Sequence, residues 1–85
     1  MTPADFGRRL RDLGLQAGDI IDLRAGPQGT EFTMARDNAA AAVSLPLAED
    51  RVIYRISFET RRLGLSAYVD RLDDATTIRI ERAEA

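Results

Sequence analysis

The side chains of this sequence that are equipped for recognition or catalysis are arginines and carboxylates. Arg51 and Arg55 lie four apart, Arg61 and Arg62 are adjacent, and acids occur as neighbours at Glu49 and Asp50 and at Asp73 and Asp74. Clustered guanidiniums suit a phosphate or a carboxylate, and paired carboxylates are the raw material of a cation site or an acid-base couple. Adjacent residues of a strand point to opposite faces, however, and both acid pairs fall where turns are expected, so they read as turn residues. Arg61 and Arg62 read as a solvated turn. Gly26, Gly29 and Gly64 lie in no phosphate-cradling glycine pattern. With neither cysteine nor histidine, the chain lacks the usual nucleophile, general base and soft metal ligands. The sequence therefore predicts no catalytic residue, no cofactor and no metal site.

The 85 residues carry 12 basic and 14 acidic side chains, a net charge of -2, and every cation is an arginine. Both signs are scattered, whereas affinity for nucleic acid rests on clustered positive charge. The absence of cysteine fits a reducing compartment, and no apolar stretch approaches the ~20 residues that cross a bilayer. The expectation is one domain, residues 1–85, located in the cytoplasm or in a particle assembled there, with no membrane contact. A core this small gains from self-association.

The elements that must position these residues start with a helix over 3–13. Thr2 can cap it, Pro3 suits its first position, and Asp5 faces the free amides. Phe6, Leu10 and Leu13 recur with helical spacing, and Gly14 supplies a left-handed stop. Period two then takes over, predicting strands about 19–25 and 30–36 joined by "GPQG", and a third about 41–47 after "RDN". In the third, Ala41, Val43, Leu45 and Leu47 share a side, and Pro46 marks an edge or a strand end. "RVIYRISFET" (51–60) reads as the strongest strand, with Val52, Tyr54, Ile56 and Phe58 on one face. Residues 64–72 fit a helix or a strand, the strand being favoured, and 76–82 form a closing strand before a polar tail at 83–85. The fold class is α+β, mostly β: an N-terminal helix followed by five or six antiparallel strands forming a small barrel or curved sheet.

Residues 3–36, "PADFGRRLRDLGLQAGDIIDLRAGPQGTEFTMAR", resemble the helix-hairpin part of the swapped-hairpin AbrB family. The similar positions are Pro3, Arg8 or Arg9, Leu13, Gly14, Leu15, Gly18, Asp19, Ile21 and Leu23. The resemblance implies a dimer made by exchanging hairpins that binds DNA as a transition regulator or antitoxin. Arg8, Arg9, Arg11 and Arg24 would then contact the nucleic acid.

The residues themselves favour another function. Ile20, Ile53, Tyr68 and Leu72 lie off the main inward phase. If clustered they make a second apolar surface; otherwise they are the scattered apolar residues of any surface. Together with the lack of catalytic residue types, this predicts a non-enzymatic protein-binding or structural module. It would act as a homo-oligomer or as a small subunit of a larger assembly, such as a phage or bacterial particle. Ile53, Arg55, Tyr68 and Arg79 are the expected partner contacts, because Arg and Tyr are common interface anchors.

Overall fold

The computed structural model describes residues 1–83; Glu84 and Ala85 of the expected tail lie outside the described residues. The chain runs α1 (Pro3–Leu13), β1 (Ile20–Gly26), β2 (Gly29–Arg36), β3 (Ala39–Leu45), α2 (Glu49–Arg62), β4 (Leu65–Arg71) and β5 (Thr76–Arg82). The strands form one antiparallel sheet in the order β3-β2-β1-β5-β4. The fold is α+β and mostly β, and the sheet is open, not closed into a barrel.

Local chemistry accounts for α1 and the hairpins. Thr2 Oγ1 accepts from the Asp5 amide while the Asp5 carboxylate accepts from the Thr2 amide, a reciprocal cap that satisfies the free end of α1. Gly14, at φ 69°, ends the helix in a conformation that side chains disfavour. Asp37 and Asn38 both hold positive φ (50° and 65°), so β2 turns into β3 through a tight hairpin whose twist matches the strands. That pairing carries four consecutive alanines into β3 in spite of their helical preference.

All of the core lies on one face of the sheet. Ile21, Leu23, Phe32, Met34, Leu45, Ile78 and Ile80 point toward Phe6 and Leu10 of α1 and toward Val52 and Ile56 of α2. Phe6 meets Phe32 edge to face at 5.8 Å. The connection from β3 through α2 to β4 carries the chain from one sheet edge to the other.

The segment 51–60 departs from expectation: it is the body of α2, not a strand. Val52 and Ile56 are fully buried, with Glu59 and Thr60 beside them, while Tyr54 is 68% exposed and Phe58 43%. The inward set therefore follows the helical period, and the alternation of Val52, Tyr54, Ile56 and Phe58 is incidental. Glu49 and Asp50 occupy the first turn of α2 and Arg61 and Arg62 the last, as the helix dipole favours, so neither pair is a turn. The five strands need a cover for their apolar face, and that demand overrides the strand preference of Val, Ile, Tyr and Phe.

The other boundaries shift slightly. The third strand ends at Leu45 instead of 47, and residues 64–72 hold strand β4, the favoured alternative. Pro46 follows an edge strand, as its presence suggested.

The burial pattern makes two substitutions diagnostic. Ile56→Ala should lower unfolding free energy by about 2–4 kcal/mol, and Tyr54→Ala should change it by less than about 0.5 kcal/mol. Urea denaturation followed by circular dichroism measures both; a strand with both side chains inward would lose comparable stability in each.

Candidate functional site

Residues 14–19 place α1 on the sheet. Asp19 is buried, and its carboxylate takes two hydrogen bonds from Arg36 at the end of β2, from Nε to Oδ1 (2.8 Å) and from Nη2 to Oδ2 (2.6 Å). The Gln16 amide donates to the same carboxylate at 2.8 Å. The Arg36 guanidinium also donates to the carbonyls of Leu13 (3.3 Å) and Gly14 (2.9 Å), satisfying the last turn of α1. Burial pushes the Asp19 carboxyl up, but the Arg36 and Gln16 hydrogen bonds outweigh it and hold the group below the usual aspartate range.

A second buried carboxylate joins the helices. Glu59 Oε1 accepts from Arg11 Nε of α1 at 2.8 Å and from Arg62 Nε at 3.0 Å. The hydrogen bond from Arg11 is the chief reason that Glu59 stays below the usual glutamate range, with Arg62 adding to it against the opposing effect of burial. These carboxylates are structural ties.

With α1 so fixed, a groove of about 370 Å³ opens between its outer side and β3. Phe6, Leu10, Phe32 and Leu45 form its floor, Leu13 and Val43 its half-exposed walls, and Arg9 and Asp12 its polar rim on α1. Beside it runs β3, the outer strand of the sheet, whose sequence AAAAVSL contains no charge and whose residues are exposed up to Leu45. Natural sheets guard long edges with charge, proline or bulges. The opposite edge, β4, ends in Asp70 and Arg71, with Asp73 and Asp74 just beyond.

The residues expected at a partner surface divide between two sides of the molecule. Tyr68 and Arg79 come together on the bare sheet face, the guanidinium 5.6 Å from the ring centre. Strand register sets them in one row with Ile20, Ala35 and Ala40. Leu72 is exposed just past β4. Ile53 and Arg55 are on α2 at the opposite layer: Ile53 is half-buried against the core, and Arg55 packs on Gly7 of α1 and over the Phe58 ring at 5.4 Å. The second apolar surface thus gathers Ile20 and Tyr68 without Ile53, because α2 is a helix on the covered face.

Of the arginines implied by the family resemblance, Arg8, Arg9 and Arg11 are exposed on α1 and Arg24 is on β1. Arg8 pairs with Asp5 and Arg11 with Glu59, Arg9 rims the groove, and Arg24 lies in β1 opposite Glu31 of β2. Among the acids, Glu49 accepts from the Thr76 hydroxyl and Asp50 faces Arg71 at 3.4 Å. Among the described residues no cluster of three or more acids has the arrangement of a metal site, and no helix is long and apolar enough to cross a membrane.

Residue-level reading passed over the groove-lining set of Leu13, Ala41, Val43 and the edge of β3. The available signal was the uncharged run from Ala39 to Leu45 between two turn markers. Comparisons with models of protein families, with curated proteins and with solved structures find no match to this chain.

Both clamps predict acid lability. Asp19 and Glu59 have folded-state pKa values below their unfolded ones, so their contribution is complete above the ordinary carboxylate range and disappears as pH falls through the folded values. Stability measured from pH 7 down to about pH 2 should fall, and Asp19→Asn should flatten the fall. Removing one partner strands a buried charge, so Arg36→Ala should cost about 3 kcal/mol, whereas Glu59→Met, which deletes the charge and keeps the volume, should cost less than Arg11→Ala combined with Arg62→Ala.

Proposed function

We propose that the protein is a non-enzymatic protein-binding module that works as a homo-oligomer or as a small subunit of a larger assembly, and that it docks through β3 and the groove beside it. The observation that carries this reading is an unguarded, charge-free edge strand next to an apolar groove. An incoming strand would satisfy the free amides and carbonyls of β3 while its side chains enter between Leu13 and Val43. Apolar walls, a charged rim and half-exposed aliphatic residues are the usual anatomy of such a surface. The buried carboxylates support the same reading, since Asp19 through Arg36 and Glu59 Oε1 through Arg11 hold α1 in place. The cytoplasm, or a particle assembled in it, is the setting proposed for this role.

The proposal moves the contact from Ile53, Arg55, Tyr68 and Arg79 to β3 and α1. On the bare face the row beside the one that holds Tyr68 and Arg79 is polar, carrying Asp70, Thr77 and Asp22, with the Thr77 hydroxyl donating to Asp22 Oδ1 at 3.0 Å.

A photoreactive residue placed at Val43 in the producing cell should give covalent adducts, and the same residue at Thr77 on the bare sheet face should give few. Adducts at Thr77 and none at Val43 would move the docking surface to the bare face and overturn the proposal.

A further inference from the structure

We propose that the occupant of the β3 edge is a second copy of this chain, paired antiparallel about a twofold axis near Ala42 so that the two sheets become continuous. This inference rests on the docking reading above and names its partner.

The edge is compatible with itself. About an axis at Ala42, Ala41 faces Val43 of the second copy, Ala40 faces Ser44 and Ala39 faces Leu45. No like charges meet and the small side chains let the backbones approach. Residues that share a face of β3 still share it after pairing, so the groove of each copy opens toward the other. Phe6 sets α1 beside Phe32 of β2, one strand in from the new seam, so the two α1 helices would face each other across the joined grooves. Leu13 and Val43, 40% and 38% exposed in the single chain, would then be enclosed.

Charge argues for a copy over an unrelated strand. Arg9 and Asp12 stand on the groove rim three residues apart, and neither has an ion-pair partner among the described residues. A twofold axis sets one surface against itself, so antiparallel α1 helices can place Arg9 of each copy beside Asp12 of the other, forming the pair twice.

Sedimentation equilibrium on the full chain tests this over roughly 1–100 µM, the range suited to an interface of modest area. The wild type should form a dimer that Val43→Lys abolishes, with far-UV circular dichroism confirming that the variant is folded. Arg9→Asp and Asp12→Arg should each weaken the dimer at least about tenfold, and the double variant should regain most of the loss. A folded wild-type monomer throughout the range would overturn the inference, as would a dimer indifferent to Val43→Lys. The in-cell adduct at Val43 separates the two levels: twice the chain mass supports a second copy, a different mass ends the self-pairing but keeps the docking reading, and no adduct ends both.

Discussion

The buried carboxylate of Asp19 is the tie on which the rest of the arrangement depends. Its side chain takes both arms of Arg36, and Arg36 in turn takes the last carbonyls of α1, so one ion pair joins the end of the first helix to the far end of β2. Its backbone begins the pairing of β1 with β5: the Ile80 amide donates to the Asp19 carbonyl at 2.9 Å, and the Gly18 amide to the Ile80 carbonyl at 2.7 Å. Removing such a charge from water is costly without full hydrogen bonding, which Arg36 and the Gln16 amide supply. The lateral position of α1, and with it the groove along β3, follows from this contact.

The sheet is covered on one face, and that asymmetry organises the surface. Two helices shelter the apolar residues of five strands, α1 beside Phe32 and α2 over the remainder, tied to each other through Glu59. The covered face ends at β3, where α1 stops short of Ala41 and Val43. The bare face carries Thr, Ala and Asp together with the exposed Ile20 and a stacked Tyr68 and Arg79. Of the two outer strands, β4 ends in Asp70 and Arg71 and β3 has no charge, which is why the proposed docking function rests on β3.

Much of this organisation was legible residue by residue. Thr2, Pro3, Asp5 and Gly14 mark both ends of α1 through hydrogen bonds spanning only a few positions, and the turns at Pro27 and at Asp37 and Asn38 mark the hairpins in the same way. The segment 49–62 was not legible as a helix because its β-branched and aromatic residues alternate by accident, while its true inward face includes Glu59 and Thr60. A glutamate reads as solvent-facing until Arg11, 48 positions away, is known to meet it. The flanking charges, Glu49 and Asp50 before and Arg61 and Arg62 after, were the signal that favoured a helix. For the candidate site the alternation placed Ala41, Val43 and Leu45 on the correct side of β3, but their exposure depends on where α1 comes to lie.

The sequence by itself determined what is settled within a turn or a hairpin: one capped helix, the strand phases of β1, β2, β3 and β5, and the absence of histidine and cysteine chemistry. Tertiary structure decided that 51–60 coils instead of extending, that Asp19 and Glu59 are buried, and that β3 is left at the edge beside a groove. The physical reason is one of range. Caps and turns are satisfied by neighbours in the chain, whereas burial, ion pairing across the fold and the choice of an edge strand depend on partners that come together only when the whole sheet has formed.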